Sequence, residues 1–484
     1  MQIRSFFSFT FAGLMSFSLA EASDWHRLEA ENGRGVNVRP VAVLSEGRFL
    51  LENEEGAQFA TPLEILAKKD RAWLIDWGKD WKELGSVGSK LNEAIGHPVF
   101  LESWRLWDEK APKVARRMRL QPESQTPYTS SFRRYTGESF RFLGARPYSV
   151  AAYGDERGLL ARVSLIFANK GDSFSTAGLG EDHFKQGEGG TTMEIFQKRL
   201  ESDAKRLKDS LTKVLGEGET LHFGEGDDRR KVNRWDWNGH AFILSEEDNE
   251  YVGLLIVSVE EAENRGRIDR IPDSVIKERL ARNVVREENG DVFINNIPMV
   301  NQGPKGYCVP ATFERAMRYQ GVPADMYLLA IVGGTKPGGG TNTQRLFNEV
   351  ESTVRRKGRR ADDVKINPLR MRTVQRYIED GVPIMWQMCS LPQYNQIANQ
   401  RTVERKRVTD WNAYGEKIGV EAAENAEAMK SVKDNFHVCM IIGYNEATNE
   451  LAVSDSWGPR YAIRWVHIDE AAAVANGRGF AIKS

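Results

Sequence analysis

One cysteine of this sequence stands where its thiol could act as a nucleophile. Cys308 follows a glycine-bearing turn that starts at Gln302, and the run from Cys308 to Tyr319 is predicted to be helical. The positive end of a helix dipole favours a thiolate, and the thiolate is the form that attacks carbonyl carbons. If the turn folds back, the side-chain amide of Gln302 and the backbone N–H of Cys308 could stabilise an oxyanion. These residues therefore predict acyl chemistry at Cys308.

His437 and Asp455 are the candidates for the general base and for the carboxylate that orients it. His437 opens a run of high strand propensity that ends at Tyr444, and Asp455 follows the next predicted strand, 450–453. The two residues lie about 130 and about 150 positions after Cys308, a spacing known for a cysteine nucleophile with its histidine and polar partner. The imidazole would take the thiol proton, and Asp455 would hold the ring and stabilise the imidazolium.

The order of these residues resembles that of the papain-like cysteine peptidases over residues 290–484. The resemblance is carried by Gln302-Gly303-x-x-Gly306-x-Cys308, His437, Gly443-Tyr444 and Ser456-Trp457-Gly458. The variant Cys308-Val309-Pro310-Ala311-Thr312 is similar to the bacterial branch that includes double-glycine leader peptidases. The resemblance implies a helical part with an antiparallel β-barrel and hydrolysis of a peptide or protein substrate through a Cys308 thioester. It implies no cofactor and no metal.

The sequence departs from papain in ways that leave two other functions open. Asp455 stands where papain has asparagine, although the leader-peptidase branch uses aspartate. We expect no fused transporter domain, which argues against leader processing during export. An acyl transferase similar to transglutaminases would also order cysteine, histidine and aspartate, but Gln302 favours a peptidase. A papain-like binding protein without turnover is the other alternative, and the complete set of four residues argues against it.

A glycine-rich loop is a candidate for substrate binding. Gly338, Gly339 and Gly340 could form a flexible rim at which a peptide backbone approaches closely, because glycine has no side chain to block it. The alternative is a loop that enters a helix, with Thr341 or Asn342 as the capping residue.

Two cysteines lie in neighbouring predicted strands of the C-terminal region. Cys389 belongs to the run 383–390, and Cys439 belongs to the run that His437 opens. A disulfide between them is geometrically conceivable, and two packed free thiols are the equal alternative.

A long insertion separates these strands. Residues 390–436 include a strongly charged stretch and a segment of helical composition, and their far end leads directly into His437. A lid over the site and a helical decoration packed on the outside are both open. Tyr394, Trp411 and Tyr414 would be the aromatic contacts of a lid.

The N-terminal region predicts export. Residues 1–22 combine Arg4, an apolar stretch and the cleavage pattern Ala20-Glu21-Ala22 of a secretory signal. No later segment has 18 uninterrupted apolar residues, so we expect no membrane anchor after cleavage. A periplasmic or extracellular location follows from this interpretation.

Residues 23–78 resemble the SH3-like barrel modules of secreted bacterial proteins. The resemblance is carried by Trp25, Gly47, Gly56, Pro62-Leu63, Leu66, Asp70 and Leu74. It implies a binding or spacer module without chemistry, with a cell-envelope partner as one possibility.

The middle of the chain predicts a separate α+β domain, residues 80–260. Residues 191–215 have the spacing of a long amphipathic helix, and Asn238-Gly239 is a strong hairpin signal between two strand-like runs. A charged linker, residues 261–289, with one weak helix would lead to the C-terminal domain. The expected fold class is therefore α+β and multidomain, with a small β-barrel, an α+β middle domain and the papain-like domain.

Composition excludes several other classes of protein. The chain of 484 residues has 67 Lys plus Arg against 68 Asp plus Glu, so its net charge of −1 gives no reason to expect nucleic acid as a partner. Hydrophobic residues make up 40%, which is enough for several cores and excludes a mainly disordered chain. Three cysteines are too few for a disulfide scaffold.

Overall fold

The computed structural model describes residues 25–101, 104–173, 192–225, 229–247, 249–267, 269–303, 307–335 and 340–484. The predicted signal segment, residues 1–22, lies outside this described part, and so do Gly338 and Gly339. The chain divides into two compact units, Met1–Ser89 with Leu101–Trp104, and Lys90–Phe100 with Arg105–Ser484. Within the described residues, no helix is long and apolar enough to cross a membrane. Helices and antiparallel sheets occur together, so the fold class is α+β.

The first unit contains a four-stranded antiparallel sheet with the order β1-β2-β3-β4. Its strands are β1 (His26–Glu29), β2 (Gly35–Ser45), β3 (Arg48–Asn53) and β4 (Gln58–Pro62). The core is formed by Leu28, Val38, Phe49, Leu51, Leu66 and Leu74. Leu74 comes from helix α1 (Lys68–Ile95), which follows the sheet.

Helix α1 is 28 residues long. It continues through glycines at positions 78, 85 and 88, which would ordinarily weaken a helix. A Cβ at Gly88 would lie 2.4 Å from the ring of Trp104, and one at Gly85 would lie 3.1 Å from it. The glycines therefore make room for an indole against the helix, and this packing outweighs their low helix propensity.

The N-terminal part of the second unit is an eight-stranded antiparallel sheet with the order β5-β6-β7-β8-β12-β11-β10-β9. Its strands are β5 (Gln121–Gln125), β6 (Ser130–Tyr135), β7 (Ser149–Gly154), β8 (Leu160–Asn169), β9 (Glu219–Phe223), β10 (Arg230–Trp237), β11 (His240–Glu247) and β12 (Tyr251–Ser258). Its helices are α2 (Ala111–Arg117), α3 (Lys170–Ser173), α4 (Met193–Leu215) and α5 (Val259–Glu263). We call this part, residues 105–263, the middle domain.

Two predictions for the middle domain are confirmed. Helix α4 is the predicted amphipathic helix, capped by Thr192, and its buried face includes Phe196, Leu200, Leu207 and Leu211. Strands β10 and β11 form the predicted hairpin, with Asn238 and Gly239 at φ 45° and 72°. Both residues take the left-handed conformation that a two-residue hairpin turn requires.

The C-terminal part is built on a curved antiparallel sheet. Its main path is β13-β14-β17-β16-β20-β15, and β18 and β19 extend it from β17. Its strands are β13 (Val284–Arg286), β14 (Asp291–Ile294), β15 (Arg360–Val364), β16 (Ile384–Cys389), β17 (Phe436–Asn445), β18 (Glu450–Ser454), β19 (Arg464–His467) and β20 (Ala475–Lys483). Its helices are α6 (Asp273–Asn283), α7 (Cys308–Tyr319), α8 (Met326–Val332), α9 (Thr343–Arg356), α10 (Met371–Glu379), α11 (Pro392–Glu404), α12 (Trp411–Met429) and α13 (Ile468–Val474). Helix α6 and strand β13 lie in the stretch that the sequence suggests as a linker.

Strand β17 is buried on both faces, which explains its nearly continuous apolar sequence. Val438 and Met440 pack in the core that contains the apolar side chains of α7. Cys439 and Ile441 alternate with them and pack in the core on the opposite face. The strand thus ties helix α7 to the rest of the domain, and both elements carry predicted site residues.

The insertion, residues 390–436, forms helices α11 and α12, which contact β19 and α13. A buried ion pair between Arg401 and Glu470 attaches it, with 3.0 Å between Nη2 and Oε1. Tyr394 is buried against Trp386, and the Tyr414 hydroxyl donates a hydrogen bond to Glu450. The two tyrosines that would contact a bound substrate in a lid instead belong to the domain interior. The structure therefore favours the packed decoration.

The two remaining cysteines are free thiols. Cys389 and Cys439 lie on the paired strands β16 and β17, but Cys389 stands opposite Phe436 and Cys439 stands opposite Trp386. Of the two alternatives, the structure has the packed thiols.

Candidate active site

Helix α7 and strand β17 bring the predicted nucleophile and base together. Cys308 is the first residue of α7, and His437 is the second residue of β17. The Thr312 hydroxyl, one turn into α7, donates a hydrogen bond to the Val438 carbonyl at 3.0 Å. This contact joins the two elements beside the site, where the His437 imidazole is close enough to Cys308 to lower the pKa of its thiol. The arrangement provides a thiol with an adjacent base.

Asp455 holds the other side of the imidazole. Its Oδ1 atom lies 3.0 Å from His437 Nε2, so Nδ1 is the ring nitrogen that remains for the Cys308 thiol. Both side chains are buried. The indole of Trp457 stacks on the imidazole, with 4.9 Å between ring centroids and 30° between planes. Asp455 and Trp457 thus fix the orientation of the imidazole beside Cys308.

Arg464 is a site residue that the sequence analysis missed. It begins β19, and its Nη2 atom donates to the second oxygen of Asp455 at 2.6 Å. Its Nη1 atom donates to Asn395 Oδ1 at 3.0 Å, and its guanidinium lies 5.2 Å from the Trp457 ring centroid. A detectable signal was present, because a charged residue next to Trp465 and Val466 in a short strand requires a buried partner.

The charges of these groups support one another against the cost of burial. Burial disfavours the imidazolium, but hydrogen bonds to Asp455 and Cys308 outweigh this effect and raise the pKa of His437 to about 9. Burial also opposes the thiolate, yet His437 lowers the pKa of Cys308 below its usual range. Burial is again overcome at Asp455, where Arg464 and His437 lower the carboxyl pKa to about 2. The site therefore favours a thiolate–imidazolium pair over a neutral pair.

Gln302 lies next to the segment that carries Asp455. Its backbone N–H donates to the Ser456 carbonyl at 2.8 Å, and its side chain is buried. Its Oε1 atom has no hydrogen-bond partner within the described structure. Residues 304–306, which connect Gln302 to the N-cap residue Tyr307, lie outside the described residues.

The glycine-rich loop is only partly described. Gly338 and Gly339 lie outside the described residues, while Gly340 is exposed and has space around it, since a Cβ there would meet no atom within 4 Å. Asn342 caps helix α9, with its side chain accepting a hydrogen bond from the Arg345 N–H at 2.8 Å. At Asn342 the capping interpretation is therefore confirmed.

We expect the rate of acyl chemistry at Cys308 to fall above a pH of about 9. The pKa of His437 is raised to about 9, so the imidazolium persists through neutral pH and is lost only as the pH passes that value. Without this proton the leaving amine cannot be protonated. The decline of kcat/KM on the alkaline side of its pH profile measures this pKa. The value obtained is a property of the coupled Cys308–His437 pair. An alkaline limb near 6.5, the usual histidine value, would contradict the assignment.

A comparison with protein families agrees with this geometry. Residues 294–476 match the family model described as Peptidase_C39 like family. The matched range contains Gln302, Cys308, His437, Asp455 and Arg464. No curated protein matches the chain. The match supports a C39-type cysteine peptidase domain in residues 294–476.

Proposed function

We propose that this protein is an exported peptidase that hydrolyses peptide bonds through a thioester on Cys308. The observation that carries the proposal is the buried His437–Asp455 hydrogen bond beside the Cys308 thiol, whose pKa the imidazole lowers. The lowered pKa of the thiol and the raised pKa of the imidazole both favour the reactive ion pair. The family match gives independent support for a cysteine peptidase.

The proposed reaction has two steps. The Cys308 thiolate attacks the scissile carbonyl carbon, and the C=O electron pair moves onto the oxygen. The Gln302 amide and the backbone N–H of Cys308 stabilise that oxyanion. Collapse expels the leaving amine, which takes the proton from His437 Nδ1. A water molecule, deprotonated by His437, then attacks the thioester and regenerates the thiolate.

The remaining assignments of the chain are part of the same proposal. We assign residues 290–484 to a papain-like domain, because α7 carries the nucleophile and packs on the sheet that carries the base. We assign residues 23–78 to an SH3-like module, supported by its four-stranded antiparallel sheet. This module would bind a cell-envelope partner, and Gly338 to Gly340 would line the substrate cleft.

Trapping the acyl-enzyme tests the proposed function. The substrate is a peptide library made from a digested bacterial proteome, and the reaction is quenched with acid during turnover. We expect peptide acyl groups to remain on Cys308, where intact-protein mass spectrometry detects them. His437→Ala serves as the control and should not accumulate them. Hydrolysed products in the presence of glycinamide support the peptidase.

Two other results would redirect the assignment. Predominant transfer of the acyl group to glycinamide would identify an acyl transferase, because that enzyme shares the thioester but excludes water. Binding of peptides without any acylation of Cys308 would contradict catalysis and leave a binding protein.

A further inference from the structure

We propose that the middle domain is a working part of the active site, with Glu123 and Tyr135 as positioning residues for the oxyanion donor Gln302. This inference rests on the proposed function, because it gives the middle domain a role in the same reaction. The structural basis is residues 298–303, which we call the Gln302 segment. Side chains of strands β5 and β6 hold this segment.

The middle domain satisfies three backbone groups of the Gln302 segment. Glu123 Oε1 accepts a hydrogen bond from the Asn301 N–H at 2.8 Å, and Ser124 Oγ accepts one from the Met299 N–H at 3.0 Å. The Tyr135 hydroxyl donates to the Asn301 carbonyl. These contacts join residues more than 160 positions apart in sequence, so they are tertiary contacts that fix the segment against the sheet.

Other residues of the C-terminal part, which we call the catalytic part, hold two further residues of the same segment. Arg315 Nε donates to the Pro298 carbonyl at 3.0 Å, and the Gln302 N–H donates to the Ser456 carbonyl at 2.8 Å. Residues 299 and 301 thus bond to the middle domain, while residues 298 and 302 bond to the catalytic part. Since neighbouring residues of the segment are held from both parts, a shift at Asn301 must also move Gln302.

Glu123 is held firmly enough to act as a fixed support. It is buried and accepts hydrogen bonds from Arg133 Nε at 2.6 Å and from Ser131 Oγ at 2.9 Å. Arg133 is itself anchored to Ser149 and Tyr153. A buried carboxylate with several donors has little freedom to rotate, so its bond to the Asn301 N–H defines the position of the segment.

Tyr135 also explains the glycine that follows Gln302. Gly303 has φ 72°, and a Cβ at this position would lie 2.5 Å from the Tyr135 ring. Only glycine permits both the left-handed backbone and the close approach of the ring. The Gln302-Gly303 pair is therefore fitted to the middle domain.

The same edge of the middle domain borders a groove beside the catalytic residues. The middle domain lines this groove with Gln121, Glu123 and Tyr135. The catalytic part lines it with Asn301, Trp457 and Arg460. Trp457 stacks on the imidazole of His437, so the groove adjoins the site of reaction. This continuity agrees with a middle domain that takes part in catalysis.

A peptide aldehyde distinguishes this role from simple structural support. The Cys308 thiolate adds to the aldehyde carbon, and the resulting oxygen takes the place of the oxyanion, so the inhibition constant reports the oxyanion donors. Alkylation by iodoacetamide forms no oxyanion and reports the thiolate alone. We expect Tyr135→Phe to raise the aldehyde inhibition constant about 10-fold, and Glu123→Gln and Gln302→Ala to raise it about 10²-fold. Iodoacetamide rates should stay within about twofold of wild type, because the thiolate is untouched.

Matched controls separate positioning from general loss of stability. Tyr148→Phe removes a middle-domain hydroxyl that is bonded to Arg199, and Glu109→Gln removes a buried carboxylate that is paired with Arg117. Neither variant should change the aldehyde constant. In the Gln302→Ala background, Tyr135→Phe should add no further loss, since its effect passes through the absent amide.

Several outcomes would overturn the inference. One is an unchanged inhibition constant for the aldehyde in a folded Tyr135→Phe variant. This variant keeps the aromatic ring, so it provides the test even if Glu123→Gln does not fold. A second is an equal loss in the two control variants, and a third is full additivity with Gln302→Ala. If the proposed function is wrong, the wild-type protein itself will not bind the aldehyde. That result is distinct from a failure of the inference about the middle domain.

Discussion

Replacing Cys308 by alanine should lower the rate of peptide-bond hydrolysis by about 10⁵-fold, because no thioester can form without the nucleophile. The effect should be on kcat, since the substitution removes the reacting atom and leaves the surrounding residues in place. Alanine at the start of α7 should leave the unfolding free energy nearly unchanged, because the thiol is only partly buried. Turnover of an unstructured polypeptide measures kcat, and urea unfolding followed by circular dichroism measures the unfolding free energy.

Cys389→Ala is the matched control for this variant. Cys389 is also a free thiol but is fully buried in the core on the face of the sheet opposite α7. We expect it to keep kcat within about threefold while losing some stability through the small cavity. Retained hydrolysis in Cys308→Ala would contradict the thioester mechanism.

Asp455→Asn should damage both catalysis and stability. The imidazole loses its anionic partner, and hydrolysis should fall by up to about 10⁴-fold. Arg464 becomes a buried charge without its carboxylate, which should lower the unfolding free energy by about 3–5 kcal/mol. Urea unfolding and steady-state kinetics measure the two effects separately.

A double variant separates these two effects. Adding Arg464→Met to Asp455→Asn removes the unpaired charge, and we expect it to recover most of the lost stability. Hydrolysis should remain low, because the imidazole still lacks its carboxylate. Recovery of hydrolysis together with stability would show that Asp455 acts only as the counter-ion of Arg464.

Asp455 and His437 also determine how the unfolding free energy depends on pH. The pKa of Asp455 is lowered to about 2, so its contribution is present above its ordinary value near 3.8 and is lost as the pH falls toward 2. The pKa of His437 is raised to about 9, so its contribution is present below its ordinary value near 6.5 and is lost as the pH rises toward 9. Their joint stabilisation is therefore greatest between these ordinary values.

The sequence was informative where one local pattern decides the structure. The apolar run that follows His437 is a strand buried on both faces, and Cys308 begins a helix as its position after a glycine turn indicates. The amphipathic spacing of α4 and the Asn238-Gly239 turn were equally clear. In each case, burial and backbone preference act within a short stretch.

Features that depend on distant contacts could not be predicted in the same way. The length of α1 depends on the packing of Trp104 against its glycines, and the attachment of the insertion depends on the pairing of Arg401 with Glu470. Arg464 indicated a buried acidic partner, but the sequence predicts Asp455 only as the partner of His437. The role that we propose for Glu123 rests on a hydrogen bond to Asn301, far along the chain. No pattern within either stretch indicates that bond.

The most direct test of the central claim is the pH dependence of Cys308 alkylation by iodoacetamide, mapped by mass spectrometry in wild type and in His437→Ala. We predict that Cys308 is labelled in preference to the buried Cys389 and Cys439, and that its rate stays high well below the ordinary thiol pKa of about 8.5. In His437→Ala the profile should move to higher pH, because burial raises the thiol pKa once the imidazolium is absent. Coinciding profiles for the two proteins would contradict the thiolate–imidazolium pair on which the account depends.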